Sequence, residues 1–372
     1  MSEWKKIPFD QVAGFSYGKM PKKDLLGRGE FQTFSGYKYL DKYPEYNCDI
    51  GDLIVVARGV GGSGDVKLVN RKCYLTNLSI KFDLDHKIVF TPYLYYYFQW
   101  NNLRYLDSGS AQSQITINDL SKVELSLPPL LEQKAIASVL SSLDDKIDLL
   151  HRQNKTLEAM AETLFRQWFI EDDSLKQIVV SEVIEFNPKR TLGKGTEATY
   201  LEMAGLSTQS FNATGYYKRE FSSGTKFIQQ DTLLARITPC LENGKAGYVT
   251  FLKDNEVGWG STEYIVMRPQ SALHPLMAYV LCRNQEFKEY AESCMEGSSG
   301  RQRVNVDHLK EFTVGLPSDE VIQQFNDYLA SIELKLIYNS KQIQTLEKLR
   351  DTLLPKLMSG EVRVQFKEES AA

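Results

Sequence analysis

Few residues in this chain are spaced to do chemistry, and most of the chemistries they suggest lack a partner. Asp65-Val66-Lys67 is a DxK triplet of the kind nucleases use with magnesium, and Asp52 could add a second carboxylate. Residues 59–64 are glycine-bearing and have the span of a phosphate loop, but Asp65 stands where such a loop requires lysine. A DNA methyltransferase needs a glycine-rich cofactor loop and a (D/N/S)PP(Y/F) element. The one Pro-Pro pair, in Leu127-Pro128-Pro129-Leu130, has no polar residue before it, and Asn187-Pro188 runs into Lys189. Cys48, Cys73, Cys240, Cys282 and Cys294 are odd in number and without CxxC spacing, which argues against a disulfide framework and against zinc. The four histidines are isolated from one another. The expectation is a non-catalytic chain with no metal site, and a nuclease using Asp52, Asp65 and Lys67 is the enzymatic alternative.

Basic and amide side chains point to another chemistry. Arginine and glutamine suit bidentate contacts to guanine and adenine, and lysine suits phosphates. Lys19 and Lys22 lie near the start, and Arg58 and Lys67 flank the glycine-bearing loop. Gln112 and Gln114 sit in a small-residue loop, Lys189 and Arg190 follow Asn187-Pro188, and Arg236 and Lys245 flank a second glycine-bearing stretch. Arg301, Gln302 and Arg303 follow Gly300. These are the candidate DNA contacts. The net charge of −4 weighs little against them, because a nucleic-acid footprint need only be local.

The elements that must position these residues come in two copies. Sliding the chain by 189 residues lays Leu120 on Leu309, Pro128 on Pro317, Leu140 on Leu329, Gln153 on Gln342 and Thr163-Leu164 on Thr352-Leu353 without a gap. Earlier segments match with shifting offsets: Asp52 to Arg58 (DLIVVAR) resembles Asp231 to Arg236 (DTLLAR) with one gap. The loop 108–117 resembles 297–306, both leading into an alternating β-like run.

The gap-free part is helical. Positions 136, 140, 143, 147, 150, 154, 157, 161, 164 and 168 alternate spacings of four and three, a heptad seam that includes Leu143, Leu150, Asn154, Leu157 and Trp168. The second seam includes Phe325, Leu336, Asn339, Ile343, Leu346 and Arg350. Each helix should be about 60 Å long. So narrow a stripe fits a coiled coil better than a helix lying on a globular core. Pseudo-two-fold symmetry makes the pair antiparallel, with facing residues whose numbers sum to 493. Trp168 then faces Phe325, Leu157 faces Leu336, Leu150 faces Ile343, Leu143 faces Arg350, and Asn154 meets Asn339. A buried asparagine pair specifies register at some cost in stability.

The expected class is α+β: two globular α/β domains joined by two long antiparallel helices in a coiled coil, with a pseudo-two-fold internal repeat. The expected segments are 1–130, a helix over 131–171, 172–318, a helix over 319–360, and a tail over 361–372. Hydrophobic content of 42% and charged content of 25% suit a globular, cytoplasmic chain with no membrane segment.

Several segments together resemble the specificity subunit of Type I restriction-modification systems. They are Leu127-Pro128-Pro129-Leu130-Leu131-Glu132-Gln133-Lys134-Ala135-Ile136, Leu164-Phe165-Arg166-Gln167-Trp168-Phe169, Phe186-Asn187-Pro188-Lys189-Arg190 and Leu353-Leu354-Pro355-Lys356-Leu357-Met358-Ser359-Gly360. The resemblance implies two target-recognition domains, each reading one half of a split double-stranded DNA target. It implies helices that set the half-site spacing and dock two modification (methyltransferase) subunits, and a complex able to recruit restriction (endonuclease) subunits. S-adenosylmethionine, ATP and Mg would then belong to partner subunits, with no cofactor in this chain. The alternatives are the specificity component of a Type II-like methyltransferase without a restriction partner, and a protein-interaction scaffold.

Overall fold

The heptad stretches fold as helices, Leu130–Phe165 and Asp319–Met358, in the structure, a computed structural model that describes residues 4–59, 63–107, 114–270, 272–298 and 300–365. The first passes into a π turn, Arg166–Ile170, which carries Trp168 and Phe169. Pro128-Pro129 precedes it, and buried Gln133 fastens its first turn. The Gln133 side chain accepts from Phe90 N (2.8 Å) and donates to the carbonyls of Ile88 and Pro128 (both 2.9 Å). The second helix opens on Ser318, with Asp319 and Glu320 at the positive end of its dipole. It stops at Gly360, whose φ of +76° only glycine adopts cheaply.

Two compact units share these helices: Met1–Lys146 with Leu346–Ala372, and Ile147–Thr345. In the first, a four-stranded antiparallel sheet runs in the order Ala13–Tyr17, Ser79–Leu84, Leu53–Val56, Val66–Leu68. A second sheet pairs Phe31–Ser35 with Lys38–Tyr43 and Cys73–Leu75. The second unit repeats the first sheet as Ile184–Phe186, Tyr264–Pro269, Thr232–Ala235, Ala246–Tyr248. Its other sheet has four strands, Tyr217–Glu220, Glu197–Leu201, Val257–Gly260 and Thr225–Ile228. In each unit a two-stranded ribbon joins the start of the globular module to its end: Lys5–Pro8 with Glu124–Leu127, and Lys176–Val179 with Thr313–Leu316.

Within the second unit the two helices are antiparallel. Asn339 Nδ2 donates to Asn154 Oδ1 at 2.8 Å, and Trp168 meets the Phe325 ring edge-to-face at 5.9 Å between centroids. Fourteen residues forward on one helix are fourteen residues back on the other. In the first unit Arg350 Nη1 sits 2.9 Å from Asp144 Oδ1. Arg350, which the symmetric register sets opposite Leu143, therefore ends on the carboxylate next to it.

The narrow-stripe expectation needs correcting. Phe165, Phe325, Leu329, Ile332 and Leu336 belong to the same buried cluster as Ile265, Met277 and Val304 of the second module. Ile136, Leu140, Leu357 and Met358 join Phe9, Phe82 and Tyr93 of the first. The helices form a seam and also dock on their modules. Much of that docking is polar, so apolar periodicity could not reveal it. Tyr96 donates to Asp144 (2.6 Å), Tyr279 to Glu158 (2.6 Å), and Tyr248 to Glu333 (2.8 Å).

Asn339 is fully buried, and its Oδ1 finds no partner among the described residues. Asn154→Leu should therefore cost about 1–3 kcal/mol, by stranding the Asn339 amide. Asn154→Leu combined with Asn339→Leu should recover at least that loss, since an apolar pair of similar shape strands nothing. Urea melts of the single and double variants check this. Losses that simply add would show that the two amides do not interact.

Candidate nucleic-acid interface

The central strand of each module places the same two charged residues at its ends. At the start are Asp52 and Asp231. Each accepts a backbone N–H from three residues back at 2.8 Å (Asp49 and Ile228) and pairs with a cation from the adjacent strand. Lys81 lies 2.7 Å from Asp52, and Arg268 lies 2.5 Å from Asp231. Burial pushes the Asp231 carboxyl up, against the pull of the Ile228 N–H and of Arg268 and Arg190.

At the other end stand Arg58 and Arg236. The one-residue gap between DLIVVAR and DTLLAR is a local bulge. Ala57 N and Arg58 N both donate to Leu78 O (2.9 and 3.0 Å), whereas Arg236 N alone donates to Glu263 O (3.0 Å). Immediately beside them the fixed 189-residue shift takes over: Ile115 N donates to Ala57 O (3.0 Å), and Val304 N to Arg236 O (2.8 Å).

The second module gathers several of the residues proposed from sequence. Gln302 is tied to Thr238 by two hydrogen bonds, N to Oγ1 at 3.2 Å and O from N at 3.1 Å, which holds the loop against Arg236. Arg303 grips Glu263 with Nη2 at 2.8 Å and Nε at 2.9 Å, and Arg236 Nε lies 4.0 Å from the other Glu263 oxygen. Arg190 is delivered by a turn in which Asn187 has φ +50° and pairs with Val266 in both directions (2.7 and 2.9 Å). Its Nη2 lies 3.7 Å from Asp231. Lys189 and Arg301 are exposed nearby in sequence. Lys245 turns away, its Nζ donating to Met203 O at 3.1 Å.

The first module is less convergent. Lys67, on the strand Val66–Leu68, is exposed with Nζ 5.7 Å from the Tyr37 ring. Arg71 and Lys72 lie over Tyr39 and Tyr46 at 4.5 and 4.3 Å. Lys19 and Lys22 are exposed on a segment tied down by Lys19 N to Leu75 O (2.9 Å) and Lys22 N to Tyr43 Oη (3.2 Å). Gln114 is half-buried; Gln112 and residues 60–62 of the glycine-bearing loop lie outside the described residues.

The nuclease triplet is otherwise engaged. Arg104 clasps Asp65 with Nε at 2.6 Å and Nη2 at 2.9 Å and holds that carboxyl below its usual range. Among the described residues no three His, Cys, Asp or Glu side chains converge as a metal site. Sequence reasoning missed Lys226, Arg268, Lys81 and the aromatic partners of the cations. Lys81, Lys226 and Arg268 sit within strands, where alternation marks a face and says nothing of a site, and the rings of Tyr37, Tyr39 and Tyr46 lie far from their cations in the chain.

Comparison with known proteins gives a consistent answer. Residues 1–159 match the family described as Type I restriction modification DNA specificity domain. The chain is 25% identical over 313 residues to the Type I restriction enzyme MjaIX specificity subunit of Methanocaldococcus jannaschii, covering 74% of this chain and 70% of that one. It is 22% identical over 329 residues to the HindI specificity subunit of Haemophilus influenzae, covering 67% and 71%. The crystal structure of a Type I restriction-modification S subunit from M. genitalium shares its fold, with a TM-score of 0.62 at 20% identity over 98% of this chain and 97% of that one.

Proposed function

We propose that this chain, which belongs to the family of Type I restriction-modification specificity subunits, gives a cytoplasmic methyltransferase complex its DNA target. The module before the first long helix reads one half of a bipartite duplex sequence, and the module between the helices reads the other. The helices fix the distance between half-sites and dock two modification subunits, to which restriction subunits add. S-adenosylmethionine, ATP and Mg act on those partners, and this chain supplies no catalytic group. Consistent with a protein working on DNA in solution, no helix among the described residues is long and apolar enough to cross a membrane.

The observation that carries this reading is the repeat in three dimensions. Two sheets of identical strand order each end their central strand on an arginine, Arg58 or Arg236, that abuts a loop in divergent sequence. A shared scaffold with drifting loops is what two readers of different sequences require, because base edges are read by side chains and the scaffold only positions them.

Shortening the spacer tests it. Deleting residues 147–153 and 340–346 removes one facing heptad from each helix and leaves the Asn154–Asn339 layer intact. That takes about 10 Å from the helix axis, so the preferred spacing should contract by at most about three base pairs while both half-site sequences stay the same. Methylome sequencing of cells carrying the variant with its methyltransferase partner reads both quantities. Unaltered spacing with normal methylation would show that the helices do not measure the target.

A further inference from the structure

The second module contains a cleft of about 240 Å³ lined by Asn187, Arg190, Thr225, Lys226, Arg236 and Thr262. Two carboxylates stand behind it, and each has its tight partner elsewhere. Arg268 holds Asp231 at 2.5 Å, and Arg303 holds Glu263 at 2.8 Å. Arg190 and Arg236 are only distant second partners, at 3.7 and 4.0 Å. The Nε–H groups of both are enclosed and have no acceptor within hydrogen-bond distance among the described residues. Arg190 and Arg268 therefore face Asp231, and Arg236 and Arg303 face Glu263, four positive charges against two negative, with Lys226 lining the cleft beside them. An enclosed donor left unpaired costs about 1–3 kcal/mol, so two on neighbouring guanidiniums mark a place made for an acceptor. The side chains of Arg190 and Arg236 keep 18% and 31% of their exposure, so the cleft opens to solvent and a ligand on a polymer could reach it.

The required acceptor is compact, anionic and able to take hydrogen bonds from several directions. A carboxylate is planar and is already supplied twice by the protein. A tetrahedral phosphate group offers oxygens to two forks at once, and guanidinium geometry suits it. We propose that this cleft is a phosphate-group subsite, in which the Arg190 and Arg236 guanidiniums turn to present their unpaired Nε–H groups to one phosphate and Lys226 adds a point charge. Resting on the reading of the chain as a DNA-specificity subunit, the phosphate is a backbone phosphodiester of the half-site held by the second module. A free phosphate-bearing small molecule offers the same chemistry. Lys226 is preset for the task, its Nζ resting 4.8 Å from the Phe221 ring. Arg58, at the equivalent point of the first module, also has an enclosed Nε without an acceptor among the described residues.

Two measurements on the full chain separate the possibilities. Calorimetric titration with inorganic phosphate at low ionic strength should show one saturable site, weakened at least about tenfold in Arg190→Gln and Arg236→Gln. Arg236→Lys, which keeps the charge but lacks Nε, should lie between, and its unaltered melting temperature would exclude misfolding as the cause. In the second measurement, the complex with its methyltransferase partner binds duplexes carrying a single neutral methylphosphonate, walked along the half-site of the second module. One position should weaken the wild type about tenfold and leave Arg236→Gln unaffected, and that variant should lose about one from the slope of log affinity against log salt. Saturable phosphate binding without an Arg236-dependent position would support the subsite and overturn its assignment to DNA. No saturable phosphate binding, together with an unaltered salt slope in all three variants, would overturn the subsite while leaving DNA recognition by the chain standing.

Discussion

Phe325→Ala should lower the stability of the unit Ile147–Thr345 by about 3–5 kcal/mol, the usual cost of emptying a large aromatic site in a core that cannot collapse. Phe325 is fully buried, and its ring lies 5.1 Å from Phe169, 5.9 Å from Trp168 and 6.4 Å from Phe165. Three features keep those neighbours from closing the hole. Phe165 and Phe169 stack on each other at 5.2 Å, Phe169 and Trp168 are held in the π turn, and the cluster continues into Ile178 and Val314 of the ribbon. Phe325 therefore serves the helix seam and the module core together. Denaturant melts of the full chain measure the loss. Leu346→Ala, at a half-buried seam position, should cost clearly less. Equal losses at the two sites would mean that Phe325 is an ordinary seam residue and that the docking of the module on the helix contributes nothing.

Arg283→Met should cost the same unit about 2–4 kcal/mol, somewhat below the figure for a fully enclosed ion pair because the guanidinium keeps an exposed edge. Arg283 spends its donors on one joint. Nε donates to Tyr279 Oη (2.9 Å), Nη1 to the carbonyls of Thr208 (3.1 Å) and Gly244 (2.9 Å), and Nη2 to Ser210 O (3.2 Å). Tyr279 in turn donates a hydrogen bond to Glu158 on the first long helix, which also accepts from Phe211 N at 3.2 Å. Helix carboxylate, tyrosine, arginine and loop carbonyls thus form one continuous weld.

The weld has a pH signature. Burial raises the Glu158 carboxyl above its usual range, while the Tyr279 hydroxyl and the Arg283 charge pull it back. Without Arg283 the folded-state pKa rises further above its unfolded value. A carboxyl raised on folding contributes stability that is present below its unfolded pKa and is lost as pH rises through the folded pKa. The deficit of Arg283→Met should accordingly be greatest at mildly alkaline pH and shrink on acidification. Urea melts across that range test this, and a deficit independent of pH would mean that the lost carbonyl contacts, and not the stranded carboxylate, account for the variant. Arg283→Lys should recover part of the alkaline loss, since it keeps the charge but not the fork.

What could be read from the residues alone was whatever is periodic or repeated along the chain. The four-three spacing identifies the helices because side-chain direction on a helix depends only on local position. The 189-residue shift identifies the duplication, and with antiparallel symmetry it brings Asn154 to Asn339. Even the single gap between DLIVVAR and DTLLAR corresponds to a structural feature, the extra residue of a bulge at Ala57 and Arg58.

Only the tertiary structure decided which of the candidate DNA-binding residues share a site. Arg190, Arg236 and the pair Gln302-Arg303 come from three separate stretches of the chain; antiparallel pairing of strands Ile184–Phe186, Tyr264–Pro269 and Thr232–Ala235 brings the first two together, and a bridge between Ile237 and Arg303 adds the third. The same folding supplied carboxylates that no pattern announced, tying Arg303 to Glu263 and Arg268 to Asp231, and it turned Lys245 toward a carbonyl. It also seated the helices on their modules through Glu158, Glu333 and Asp144. Hydrophobic periodicity is a one-dimensional signal of which face leaves water. An ion pair or a polar weld depends on a partner whose position is set only once the chain has folded.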